Sequence, residues 1–134
     1  MSSTAPGRAG FSAAGALRSA AWFAGVGGAL GAVHALTGWG LPCPWRALTG
    51  TLCPLCGGTT MASRLLVGDL AGAWEANPFV LVLLALAGVA VVAWTVEALG
   101  GPALRPPARV RSGRLWWALL AGAAAAFALW RNLV

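Results

Sequence analysis

The sequence predicts an all-α integral membrane protein with three transmembrane helices. A Cys-rich loop and a short interfacial helical segment lie between the first and second of these helices. Of the 134 residues, 59% are hydrophobic and only 9% are charged, and the mean hydropathy is +0.78. A soluble domain normally has charged residues at about a quarter of its positions. Lipid must therefore solvate much of this chain.

Three long apolar runs give the order of the predicted elements. Residues 1–18 are small and polar and predict a flexible tail, and residues 19–134 form a single membrane domain. The predicted spans are residues 19–38, 78–99 and 115–133. Each has about the 20 residues that a spanning helix needs.

Local signals support each span in turn. Gly27 and Gly31 lie one turn apart in the first span and allow another helix to approach closely. Asn77 can cap the second span, with Pro78 at its first helical position. The third span has tryptophans at both ends, as expected at membrane interfaces, and Arg131 in its last turn can extend its guanidinium outward.

The distribution of charge predicts the orientation. The loop at residues 100–114 is Arg-rich, with Arg105, Arg109, Arg111 and Arg114. The Cys-rich loop at residues 39–77 is balanced, because Arg46 and Arg64 offset Asp69 and Glu75. The positive-inside rule then places the N-terminus in the cytoplasm and the Cys-rich loop outside the cell. All of the basic residues are arginine, and the chain is rich in alanine. This composition is typical of a bacterial protein, so we expect the inner membrane of a bacterium.

The net charge of +6 does not indicate a nucleic-acid-binding protein. Such a protein presents basic residues on one face of a soluble domain. Here the arginines lie between apolar runs, where they fix orientation in the bilayer. The sequence excludes nucleic acid as a partner and predicts the lipid bilayer instead.

The second half of the Cys-rich loop predicts short amphipathic helices. Thr59 or Thr60 can cap a helix that runs to about Val67, and Asp69 can cap another that runs to about Ala76. Apolar residues recur at helical spacing along this stretch, so it either lies on the membrane surface or folds back against the spans.

All three cysteines lie in the first half of the same loop, within an ordered series of short motifs. In order, these motifs are Cys43-Pro44, Leu48-Thr49-Gly50, Cys53-Pro54-Leu55-Cys56-Gly57-Gly58-Thr59, Gly68-Asp69, Ala73-Trp74 and Asn77-Pro78. The series resembles the signature of a family of small bacterial membrane proteins known as domain of unknown function 2752. The resemblance covers roughly residues 39–80 and extends over the flanking spans.

The resemblance implies an architecture and a set of structural motif residues, but not an activity. Those residues are Cys43, Pro44, Cys53, Pro54, Cys56, Gly57, Thr59, Gly68, Asp69, Asn77 and Pro78. One departure is visible, since many members of the family have arginine directly after the motif threonine. This chain has Thr60 there, and Arg64 follows one helical turn later.

The cysteines admit three interpretations. Cys43, Cys53 and Cys56 could hold zinc or iron, with His34 as a fourth ligand, because closed zinc sites have four ligands. Cys53 and Cys56 could instead carry out thiol–disulfide chemistry, with Cys43 resolving the mixed intermediate. A disulfide between two of the three could also serve as a structural staple, as is common outside the cytoplasm.

No catalytic residue is predicted. The leading interpretation is a non-enzymatic accessory or anchoring component of the membrane, with a Cys-stabilised loop outside the cell. A metal-binding or thiol-redox membrane protein is the alternative. Small residues in the spans suit association with a membrane protein partner or with further copies of the chain.

Overall fold

A computed structural model gives the fold and describes residues 11–104 and 113–134. Within these residues every regular element is a helix. The six helices are α1 (Ala13–Thr37), α2 (Pro44–Thr49), α3 (Gly58–Leu66), α4 (Leu70–Ala76), α5 (Pro78–Ala98) and α6 (Gly113–Leu133). Residues 1–10 of the predicted tail (residues 1–18) lie outside the described residues, as do the loop arginines Arg105, Arg109 and Arg111.

Three of these helices are long and apolar enough to cross a membrane. They are α1, α5 and α6, with mean hydropathies of 1.3, 2.7 and 1.3 over their most apolar windows. A helix of 21 residues, such as α5, is about 31 Å long and matches a hydrocarbon core of ~30 Å. The predicted fold class is therefore confirmed. Helix α1 begins at Ala13, six residues before the start of the predicted span.

Few apolar side chains in the described part of the chain are buried. Among them only Met61 and Ala73 are fully enclosed, whereas Trp22 and Trp117 are each 72% exposed. Exposing such side chains to water on several helices at once is unfavourable. The surface of the three long helices therefore suits lipid.

The helices pack through small residues. Helix α1 packs against α3 and α5, and α3 packs against α4. At Gly31 an added Cβ would lie 2.9 Å from the Ala62 Cβ of α3 and 3.1 Å from the Ala62 carbonyl carbon. An added Cβ at Gly27 would meet nothing within 4 Å. Of the two predicted contact glycines, only Gly31 is used, and its partner is the short helix α3 rather than a span.

Aromatic contacts show that neighbouring spans run in opposite directions. Phe11, just before α1, lies 5.7 Å from Trp94 near the end of α5, measured between ring centroids. Phe79 at the start of α5 stacks on Phe127 in the last third of α6 at 5.4 Å. The end of α1, the start of α5 and the end of α6 therefore lie on the side of the Cys-rich loop.

The structure confirms some predicted helix starts and corrects others. Asp69 caps α4, since its Oδ1 accepts the Gly72 amide at 2.8 Å while its Oδ2 accepts from Arg64 at 3.0 Å. These donors lower the pKa of Asp69, with the Gly72 amide as the larger cause. The Thr59 or Thr60 cap of α3 was wrong, because Gly57 takes that position with φ of 88° and no side-chain hydrogen bond. Helix α2 was not predicted.

We expect Gly31→Val to destabilise the protein and Gly27→Val to leave its stability unchanged. The new side chain at position 31 collides with the backbone of α3, and overpacking of this kind costs about 1–3 kcal/mol. Thermal unfolding of the detergent-solubilised variants measures the difference. Equal midpoints for the two variants would contradict the α1–α3 contact.

Candidate metal centre

Two successive turns place Cys53 and Cys56 side by side. The Cys56 amide donates to the Cys53 carbonyl at 3.1 Å, and the Gly58 amide donates to the Leu55 carbonyl at 3.0 Å. The two Sγ atoms then lie 3.2 Å apart, and the Cys53 amide donates to the Cys56 sulfur at 3.3 Å. The Cys-Pro-x-Cys-Gly spacing therefore presents both sulfurs to one point.

Helix α2 brings the third cysteine to the same point. Cys43 is the N-cap residue of α2, with Pro44 at the first helical position. Its Sγ lies 3.3 Å from the Cys53 Sγ, and the three sulfur atoms all lie within 4.8 Å of one another. All three side chains are half-buried free thiols. The predicted cysteine cluster is therefore assembled from the segment Cys43–Cys56.

The triangle of sulfurs has the dimensions of a metal site. With two sides of 3.2 and 3.3 Å and a third of at most 4.8 Å, some point lies within about 2.4 Å of every sulfur. Zinc–thiolate bonds are about 2.3 Å long. An ion in or slightly above the plane of the sulfurs can therefore reach all three.

The three thiols differ in how readily they ionise. Burial raises the pKa of the Cys53 thiol to about 11, and the neighbouring thiols of Cys56 and Cys43 add to the rise. The pKa of Cys43 is lowered, chiefly because the Arg46 backbone N–H at the start of α2 stabilises its thiolate. Cys53 stays protonated at neutral pH unless a cation at the centre of the cluster stabilises its charge.

His34 lies outside the cluster. Its Nδ1 is 3.3 Å from the Trp39 carbonyl oxygen, and its Nε2 is 3.3 Å from the Thr60 hydroxyl. Because a carbonyl can only accept, Nδ1 carries the proton in the first bond and Nε2 accepts from Thr60. Both ring nitrogens are thus engaged, and His34 as a fourth ligand stays a prediction.

Asn77 holds the turn that carries Cys53 and Cys56. Its side chain is completely buried, and its Nδ2 donates to the Pro54 carbonyl at 2.9 Å and to the Cys56 carbonyl at 3.0 Å. Its Oδ1 accepts the Val80 amide at 3.0 Å and so caps α5, as predicted. One amide group therefore joins the cysteine turn to the start of a spanning helix.

Arg131 reaches the same turn from the end of α6. Its guanidinium donates to the Cys56 carbonyl at 2.7 Å and to the Ala76 carbonyl at 3.1 Å. Gly57 makes room for this contact, because a Cβ there would lie 2.7 Å from the Ala76 carbonyl oxygen. The guanidinium extends from the last turn of α6 toward the loop, as expected, and its charge is directed onto backbone carbonyls there.

Asn132 adds a second contact between the end of α6 and the Cys-rich loop. Its Oδ1 accepts the Leu52 amide, and its Nδ2 donates to the Leu52 carbonyl, each with an N···O distance of 2.9 Å. Sequence reasoning missed Arg131 and Asn132 as site residues. The available signal was the presence of two adjacent strongly polar residues in the last turn of an apolar helix.

Residues 43–91 match the sequence model of a family described as "Protein of unknown function (DUF2752)". Over this stretch, the DUF2752 segment, the chain is similar to that family. This match confirms the resemblance drawn from the motifs and runs from Cys43 through the first two thirds of α5. Comparison with curated proteins and with solved structures gives no match. The DUF2752 segment contains all three cysteines and Asn77, whereas Arg131 and Asn132 lie beyond it.

We expect Arg131→Ala to loosen the cysteine turn of the DUF2752 segment. Loss of the two charge-assisted hydrogen bonds takes one donor from each of the Cys56 and Ala76 carbonyls, and Cys56 keeps its bond to Asn77, so we expect a cost of about 2 kcal/mol. The measured results are a lower midpoint of thermal unfolding and faster alkylation of the cysteines. Arg114→Ala, at the opposite end of α6, is the matched control. Unchanged alkylation in Arg131→Ala would show that the turn holds without the guanidinium.

Proposed function

We propose that the chain is a non-enzymatic, multi-pass membrane protein that binds one soft metal ion through Cys43, Cys53 and Cys56. The observation that supports this is the triangle of free sulfurs, whose size matches metal–thiolate bond lengths. A metal ion needs several ligands arranged around one point, and the three sulfurs are arranged in this way. Zinc is the first candidate and iron the second.

The donor set favours a thiophilic ion. Thiolate ligands select zinc, copper(I) and iron–sulfur centres over calcium or magnesium, which prefer oxygen. Three protein thiolates leave a fourth coordination position for water or another ligand. Three thiolates on a divalent ion also carry one net negative charge, and Arg131 at the Cys56 carbonyl supplies a nearby positive charge.

The proposed role of the ion is to organise the surface of the protein outside the cell. It would tie the start of α2 to the cysteine turn, which Asn77 and Arg131 already attach to α5 and α6. A rigid surface of this kind suits an accessory or anchoring component that contacts a membrane protein partner or another copy of the chain. This role needs no catalytic residue.

Thiol–disulfide chemistry is the second candidate. The lowered pKa of Cys43 and its 3.3 Å distance from Cys53 favour it. A dithiol–disulfide couple needs only two sulfurs, whereas here three lie within 4.8 Å of one another, within reach of one ion. The metal interpretation therefore accounts better for the arrangement.

The proposed location is the inner membrane of a bacterium, with the N-terminus in the cytoplasm and the Cys-rich loop outside. Support comes from the arginines of the tail and of the loop at residues 100–114, which fall on one side of a three-span protein. The cysteine cluster and the ends of α1 and α6 fall on the other. Thiols outside the cytoplasm face an oxidising environment, from which a bound metal ion protects them.

We expect the protein purified in detergent under reducing, chelator-free conditions to contain close to one zinc or iron ion per chain. Cys43→Ser, Cys53→Ser and Cys56→Ser should each lose most of it, because each removes one of three ligands. Elemental analysis by inductively coupled plasma mass spectrometry measures the content. His34→Ala is the control and should keep the ion if the histidine is not a ligand. A wild type that is metal-free, and that shows a disulfide on non-reducing mass spectrometry when it is purified without reductant, would overturn the metal site in favour of the staple.

We expect alkaline phosphatase fused after Val134 to be active in cells of a bacterial host and green fluorescent protein fused there to be dark. Alkaline phosphatase folds only outside the cytoplasm, and α6 ends on the side of the cysteine cluster. The reverse pattern would place the Cys-rich loop in the cytoplasm. A fusion after residue 104, between α5 and α6, should give the opposite reporter pattern and serves as the control.

A further inference from the structure

Helix α2 presents an apolar surface that no other described helix covers. Trp45 and Leu48, three residues apart on one helical face, are 56% and 86% exposed. Just before the helix, Trp39 and Leu41 are 62% and 56% exposed. Four large apolar side chains within ten residues are more than a water-facing loop normally displays.

The Trp45 and Thr49 side chains of this short helix find their hydrogen-bond partners within its own segment. The Trp45 indole N–H donates to the Thr51 hydroxyl at 3.0 Å, and the Thr49 hydroxyl donates to the Trp45 carbonyl at 2.7 Å. Thr49 also caps the turn that follows, since its oxygen accepts the Thr51 amide at 3.3 Å. Transfer of a tryptophan into an apolar medium is costly only if its N–H loses its hydrogen-bond partner. The partner of Trp45 is Thr51, which lies in the same segment, so the bond is kept.

Hydrogen bonds on either side of α2 fix its level relative to the membrane. Before the helix, the Trp39 carbonyl bonds to His34 in the last turn of α1. After it, Leu52 pairs with Asn132 at the end of α6, and the Pro54 carbonyl bonds to Asn77 at the start of α5. The segment is thus tied to three helix ends, which lie where the spans leave the hydrocarbon. In the last turn of α1, Leu36 is likewise 86% exposed.

We propose that α2 is a membrane-inserted anchor, with Trp45 and Leu48 among the acyl chains of the outer leaflet. Arg46, exposed on the neighbouring face, lies at the level of the lipid phosphate groups. No acidic side chain in the described part of the chain forms a salt bridge with it. The occupant of this surface is therefore phospholipid, and the proposal stands whether or not the cysteines bind metal.

Photocrosslinking tests the proposal. In the full-length protein, Leu48 is replaced by p-benzoylphenylalanine, and the protein is reconstituted in vesicles of phosphatidylcholine and phosphatidylglycerol. The side chain at position 48 touches little of the protein, so the replacement leaves the fold intact. The matched control carries the same group at Glu75, an exposed position in the charged groove between α3 and α4.

Irradiation should give phospholipid adducts at position 48, detected by mass spectrometry of the protein, in several-fold excess over position 75. Lipid adducts at position 48 that are absent, or no more abundant than at position 75, would overturn the proposal. A protein–protein crosslink as the main product at position 48 would overturn it as well and would identify the surface as an interface between copies of the chain.

Discussion

The carbonyl group of Cys56 is the point on which the arrangement of this protein depends. A chain that interrupts its helices beside a bilayer must find donors for the exposed carbonyl groups within the protein, because unpaired polar groups are costly there. Asn77 and Arg131 both donate to the Cys56 oxygen, one from the start of α5 and one from the end of α6. Two spanning helices are thus joined through one backbone atom. The sulfurs of the cysteine turn take their positions from this junction.

Elsewhere the helices make few contacts between large apolar side chains. Helix α1 meets the loop helices through Gly31, where backbones approach closely, rather than through interlocking large side chains. Lipid offers as much apolar contact as another leucine does, so large side chains contribute little to helix association in a bilayer. Specific polar bonds at the helix ends and close backbone approach at small residues therefore determine which helices touch. Both features occur on the side of the membrane that carries the cysteines.

The features that the sequence predicted correctly are local ones. The three spans follow from runs of about 20 apolar residues, and the caps at Asp69 and Asn77 follow from residue type and the start of a helical pattern. Convergence of the cysteines was expected from the motif alone. Helix α2 was missed because six residues give no periodicity to read. Arg131 and Asn132 were missed because their partners in the loop lie 55 to 80 residues earlier in the chain, and nothing in a single sequence connects positions so far apart.

The distance along the chain between Cys56 and Arg131 has a consequence for biogenesis. Arg131 is translated 75 residues after Cys56, which at ribosomal speeds of 5–20 residues per second is an interval of roughly 4–15 s. During this interval α5 and α6 must enter the bilayer in opposite directions before the guanidinium can reach the carbonyl. The cysteine turn then exists as a nascent segment that lacks its contacts with α6, and its thiols are more accessible to oxidants. Early occupation of the sulfurs by a ligand would protect them until translation supplies the last turn of α6.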